Sequence, residues 1–290
     1  VTVETKILRL GDGRRLAYTE HGDVTGKPVI FIHGNPGSQL MRHPDESIVE
    51  SLGIRMITPD RPGYGFSDFQ PRRTARHFSD DMAQLADALE LEEFSVLGVS
   101  AGGPYIMACA HDLRDRVAKA AMVSAVSPLN RENAFEGMHE TYRAAFQTTQ
   151  SVPNWMARAL VWIQVRRALK DPMKTLADVE AILSKGDKRT LSDPKIREQV
   201  ANYRVEAARN GSKGVAREIR ILVSPWGFSL ENIEAPVDLW YWEDDVVVPQ
   251  QMGWHLQDHL PNATGHFLAG GGHFSIFDHW RQILESLISA

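Results

Sequence analysis

Two hydrophobic patterns divide the chain. Between residues 28 and 126, short continuous apolar runs alternate with segments whose apolar positions recur every three or four residues. The runs 29–32, 54–58 and 94–99 show no polar alternation and are too short for helices. They read as strands buried on both faces. Helical spacing fills the gaps, over 39–52 despite Pro44, over 78–89 with Met82, Leu85, Ala86 and Leu89 on one face, and over 101–111. Such alternation predicts a parallel sheet covered on both sides. Ahead of it, 5–10 and 14–20 flank Gly11-Asp12-Gly13 and form a hairpin at an antiparallel edge.

The alternation stops after Pro128. Residues 130–224 are helical throughout, with breakers at Pro153, Asp171-Pro172, Gly186, Asp193-Pro194 and 211–214. Strand character returns at 236–242, followed by a helix at 250–260, a strand at 264–268 and an amphipathic helix at 274–289. One sheet is therefore interrupted by a helical insertion. The organisation is a core of 1–129 and 225–290 with a helical cap at 130–224. Charge follows the same division: 17 Lys and Arg against 11 Asp and Glu leave the insertion at +6 and the remainder at −11. Trp155, Trp162 and Leu169 share one face by period, as do Phe135, Met138 and Tyr142 on an earlier helix. Both faces are expected to turn toward the body.

Composition narrows the class. At 290 residues and 43% hydrophobic content the chain buries a large core, and its net charge of −5 lacks the basic footprint of a nucleic-acid binder. No apolar run approaches the roughly 20 residues that span a bilayer. No charged-then-apolar leader precedes Thr5, so a cytoplasmic protein without membrane attachment is expected. The single Cys109 excludes an internal disulfide and a thiolate metal cluster, and reads as a buried thiol. Nothing in the pattern sets the oligomeric state.

Candidate chemistry centres on Gly98-Val99-Ser100-Ala101-Gly102, between an apolar strand and an apolar helix. Glycines on both sides let the chain reverse sharply and push the Ser100 hydroxyl out at the carboxyl end of the strand. A helix-capping Ser would not need them. A hydroxyl becomes a useful nucleophile only when a base takes its proton and a third group orients that base. His273, in Gly270-Gly271-Gly272-His273 after the last strand, is the base candidate. Of the 11 histidines, His255, His259 and His279 fall in predicted helices and His266 inside a strand. The acid should follow the penultimate strand, where Glu243, Asp244 and Asp245 stand in a row and only one is expected to meet His273. Backbone N–H groups of Ala101, at the helix start, and Asn35, in His33-Gly34-Asn35-Pro36, are candidates to stabilise an oxyanion. His33 and Arg61 are expected to brace loops rather than react.

With these residues in place the chain resembles the α/β-hydrolase superfamily over essentially its whole length. The elbow, the His-Gly-x-Pro loop, Asp60-x-Pro-Gly-x-Gly-x-Ser, the acid loop and the final His agree in order. The resemblance implies a mostly parallel eight-stranded sheet flanked by helices, with a helical cap inserted after the sixth strand, and no cofactor. It favours Asp245, four residues before Pro249 in an Asp-x-x-Val-Pro loop, with Asp244 as the competitor. Haloalkane dehalogenases and epoxide hydrolases carry Asp where this chain has Ser100. Proline iminopeptidases carry Trp where it has Ala101. The implied activity is that of a carboxylesterase-type serine hydrolase acting on a small to medium ester. The same triad also supports cleavage of an amide, a lactone or a C–C bond. A ligand-binding receptor on the same fold is the alternative from a different class.

Overall fold

A computed structural model describes residues 4–289. Its sheet has eight strands: β1 (Lys6–Arg9), β2 (Arg15–Gly22), β3 (Lys27–Ile32), β4 (Ile54–Pro59), β5 (Phe94–Val99), β6 (Val117–Val123), β7 (Val237–Trp242) and β8 (Ala263–Leu268). Their spatial order is β1-β2-β4-β3-β5-β6-β7-β8. β1 pairs antiparallel with β2, and β2 with β4. The remaining pairings are parallel.

Helices cover both faces. α1 (Ser47–Ser51), α2 (Arg76–Ala88) and α3 (Gly103–Asp112) follow β3, β4 and β5. Between β6 and β7 lie α4 (Glu140–Ser151), α5 (Asn154–Lys170), α6 (Pro172–Glu180), α7 (Lys185–Thr190), α8 (Pro194–Ala207) and α9 (Lys213–Leu222). α10 (Gln250–His259) and α11 (Trp280–Ile288) close the chain.

The period-two geometry of the strands explains why their sequences are apolar without a break. Ile30, Ile32, Leu239 and Tyr241 point into a core shared with Phe78, Met82, Tyr105 and Met252. Their neighbours Val29, Phe31, Trp240 and Trp242 point into the opposite core, with Trp280, Ile283 and Leu287. Each such buried side chain contributes about 1.5–3 kcal/mol. Phe31 and Trp280 meet edge to face with ring centroids 5.3 Å apart, so Phe31→Ala would open a cavity beside Trp280.

Three expectations need correction. The helix predicted over 39–52 shrinks to α1. Pro44 removes a donor, and Gln39 gives its backbone groups to tertiary contacts, its N–H to Asp60 Oδ1 at 2.7 Å and its carbonyl to Thr19 Oγ1 at 2.9 Å. The last helix begins at Trp280 rather than at 274, because Phe274 N–H donates to Asp187 and the Gly272 N–H to Ser275 Oγ. Trp155 and Trp162 do not face the body: they are 70% and 51% exposed, whereas Leu169 borders a cavity that Asn35 and Pro36 of the body also line. α5 is apolar on every side, and its inward stripe is instead Ala157, Val161 and Val165. Phe135 and Met138 precede α4 in turns, yet they and Tyr142 pack on the body core as expected.

Candidate active site

β5 delivers Ser100 to the carboxyl edge of the sheet. Ser100 takes φ +56°, a left-handed conformation costly for a residue with a Cβ, and a 3-10 turn (Ser100–Gly102) leads from it into α3. The flanking glycines are required by close packing. A Cβ on Gly98 would lie 2.5 Å from Ile106 Cδ1, and one on Gly102 would lie 2.9 Å from the Ile32 carbonyl. The Ser100 carbonyl accepts from Val126 N–H at 2.9 Å, tying the turn to the chain leaving β6.

His273 stands on the loop between β8 and α11, and its Nδ1 is 3.0 Å from Asp245 Oδ2. The other carboxylate oxygen, Oδ1, accepts the N–H groups of Val247 at 2.8 Å and Val248 at 2.9 Å. Asp245 is 2% exposed, whereas Asp244 points to solvent. The choice between the adjacent acids is thus geometric. Burial pulls the His273 pKa down, but the charge of Asp245 and its hydrogen bond outweigh burial and leave it above the usual 6.5.

Ser100, His273, Asn35 and Ala101 line one cavity of about 140 Å³. Ser100 Oγ makes no hydrogen bond to another described residue, so the two reactive groups share the cavity without being bonded. The Asn35 N–H is likewise unbonded among the described residues, and the Ala101 N–H lies in the first turn, where no preceding carbonyl can take it. Tyr64 OH donates to Asn35 Oδ1 at 2.9 Å and fixes that side chain away from its own backbone.

Beneath this loop lies a buried polar cluster. His33 Nε2 accepts from Arg61 N–H at 3.1 Å, so its proton sits on Nδ1, which donates to the Gly34 carbonyl at 2.9 Å. Burial and the Arg61 charge hold His33 well below its usual pKa, and it stays neutral. Arg61 also donates to the carbonyl of Gly34 at 2.8 Å, just before the candidate donor Asn35, and to that of Ala101, the other candidate donor, at 3.1 Å. Both residues brace loops, as expected. The counter-charge of Arg61 is Glu218 of α9 at 2.6 Å, which also pairs with the buried Arg73 at 2.8 Å.

Glu218 escaped the sequence reading, as did Asp187 and Arg204. A signal existed for Glu218 alone: with Val215, Ile221 and Leu222 it falls on the apolar stripe of its helix, an unusual place for a carboxylate unless paired. Cys109 is fully buried on α3, and burial pushes its thiol up. Among the described residues no group of three His, Cys, Asp or Glu side chains is placed to hold a metal ion, and no helix is long and apolar enough to cross a membrane.

The strand order, the serine on its strained turn and the His273–Asp245 pair together define a hydrolase-type α/β architecture. Residues 27–279 match the family described as alpha/beta hydrolase fold, and the chain belongs to that family. Over 269 residues it is 28% identical to BpoC of Mycobacterium tuberculosis, named a non-heme bromoperoxidase, covering 91% of this chain and 92% of the relative. It is 27% identical over 278 residues to RutD of Caulobacter vibrioides, named a carbamate hydrolase, covering 93% of each. An esterase from Exiguobacterium antarcticum superimposes with a TM-score of 0.74 at 18% identity, covering 98% of each chain, a likeness of fold alone.

Proposed function

We propose that the protein is a serine hydrolase that cleaves a carboxylic ester through an acyl-enzyme on Ser100, with residues 130–224 as a cap over a body of 1–129 and 225–290. The observation that carries this reading is the 3.0 Å pairing of buried Asp245 with His273, which lines the same cavity as Ser100. Asp245 accepts a hydrogen bond from Nδ1–H, which keeps the proton there and leaves Nε2 as the basic nitrogen. As Ser100 Oγ bonds to the ester carbonyl carbon, its proton passes to His273 Nε2. The carbonyl oxygen, now an anion, is held by the N–H groups of Asn35 and Ala101. Removing one such donor typically costs about 2.7–4 kcal/mol of transition-state stabilisation. His273 then returns the proton to the departing alcohol. Water, deprotonated by the same nitrogen, releases the acid and restores Ser100.

The transfer needs His273 Nε2 within hydrogen-bond reach of Ser100 Oγ, a contact that commonly tightens only when substrate is bound. A carbamate or amide is the second reading, favoured by the name of the Caulobacter relative, since the same proton movements expel an amine. The test is turnover of an ester series by wild type beside Ser100→Ala, with fluorophosphonate labelling followed by peptide mass analysis. Labelling of the wild type at Ser100 is expected, and in the variant no labelling there and a loss of at least about 10³-fold in kcat. Equal turnover by both proteins would overturn the reading.

A further inference from the structure

The Ser100 cavity does not end above the serine. It shares Asn35, Pro36, Tyr142, Phe146, Val179 and Arg204 with a larger cavity of about 380 Å³ formed chiefly by the helical insertion. The lining of that larger chamber is apolar apart from a few neutral polar groups and one cation, Arg204 of α8. Arg204 also borders the small space between Gly34, Ser100 and His273, so it stands where the chamber meets the reactive groups. No carboxylate lines any of these spaces. Tyr142, pushed up to about 12 by burial, is neutral there.

Two other arginines of the insertion have carboxylate partners, and Arg143, Arg158, Arg166, Arg167 and Arg189 are exposed. Arg197 meets Glu180 at 2.7 Å, and Arg209 meets Glu206, two residues from Arg204, at 2.5 Å. Asp187, beside the His273 loop, is engaged by Phe274 N–H and Ser184. Arg204 makes no hydrogen bond or ion pair with another described residue. A half-buried guanidinium facing an apolar chamber has lost water without gaining a counter-charge, an arrangement that favours an incoming anion.

We infer that Arg204 selects a substrate bearing a carboxylate, an acidic ester whose anionic end is held at the chamber mouth while its carbonyl lies at Ser100. The inference rests on the hydrolase reading. A planar guanidinium can give two parallel N–H bonds to a carboxylate, which a neutral ester of equal length cannot accept as well. Apolar side chains of the Ser100 cavity, Val126, Leu222 and Val248 among them, would then hold the carbon chain between the two ends.

The test pairs esters that differ only in charge: monomethyl adipate against methyl hexanoate, which places the anion on the acyl side, and 4-acetoxybenzoate against phenyl acetate, which places it on the leaving side. Wild type should prefer the anionic member of at least one pair, and Arg204→Met should lower that ratio of kcat/KM by about 10- to 100-fold, the range one charge-assisted hydrogen bond spans. Arg204→Lys should keep part of the ratio and Arg204→Glu invert it. Arg158→Met, an exposed cation on α5, should leave the ratio in place, which separates a local contact from the general field of the insertion. A wild-type preference for both neutral esters, or a ratio that survives Arg204→Met, overturns the inference. Absence of turnover on all four esters counts against the hydrolase reading instead. Calorimetric titration of Ser100→Ala with adipate then decides on Arg204: binding abolished by added Arg204→Met supports the anion site, and no binding overturns it.

Discussion

Asp187, from the helical insertion, accepts the Phe274 backbone N–H at 2.7 Å, one residue beyond His273. Its carboxylate lies so close to Gly272 that any Cβ there would overlap it. Burial raises the Asp187 pKa and its Phe274 bond opposes the rise, the balance of a carboxylate kept inside by a specific partner. The insertion therefore shapes the loop that carries His273, and its removal would disturb more than a lid.

Asp187→Ala should leave the Phe274 N–H unsatisfied and the His273 loop unsupported. A stability loss of about 1–3 kcal/mol is expected, read by urea unfolding, with a fall in kcat larger than any change in KM. Gly272→Ala should do similar damage by collision. Unchanged kcat in both would show that the loop holds itself.

Asp245→Asn should separate orientation from charge. The amide oxygen can still accept from Val247 and Val248, but the amide nitrogen then faces His273 Nδ1 and favours the wrong tautomer. A kcat loss on the order of 10⁴-fold is expected, the scale known for this change in other serine triads. The pH profile gives a second readout. His273, the proposed base, can take a proton only when neutral, and its pKa lies above 6.5, so wild-type kcat/KM should rise with pH through a value above 6.5. Without the Asp245 charge, burial outweighs the smaller pull of Asp187, and the acid limb of the variant should move downward.

Much of this arrangement was legible in the sequence because it depends on short-range rules. Apolar runs without alternation and too short for helices read as strands buried on both faces, and a serine between glycines after such a run reads as an elbow. Three adjacent acids could not be ranked from residue type, since which of Glu243, Asp244 and Asp245 turns inward depends on the backbone between β7 and Val248. The length of α1 was misread because Gln39 spends its hydrogen bonds on Thr19 and Asp60, far away in sequence. Arg204 and Asp187 left no local mark, for their roles come from the placement of α7 and α8 over the body.

The orientation of α5 gives a check on the insertion itself. With Trp155 and Trp162 at 70% and 51% exposure, Trp155→Ser and Trp162→Ser should each change stability by no more than about 0.5 kcal/mol. Both indoles emit from water while Trp240, Trp242 and Trp280 are buried, so the double variant should shift tryptophan emission to the blue. A loss of several kcal/mol instead would mean that this face is covered in solution.

Glu218 should be the most sensitive position outside the reactive groups. It is fully buried against Arg61 and Arg73, and also accepts from Tyr105 OH at 2.9 Å. Glu218→Ala would strand two buried guanidinium groups, a change that typically costs about 3–5 kcal/mol. Because Arg61 holds the carbonyls of Gly34 and Ala101, the loss should reach the proposed oxyanion donors as well as the fold. Glu218→Gln keeps the shape and one acceptor, so it should retain more stability while kcat still falls. Urea unfolding of both variants beside their kcat values separates the effects. If Glu218→Gln keeps full kcat at reduced stability, the cluster serves the fold alone.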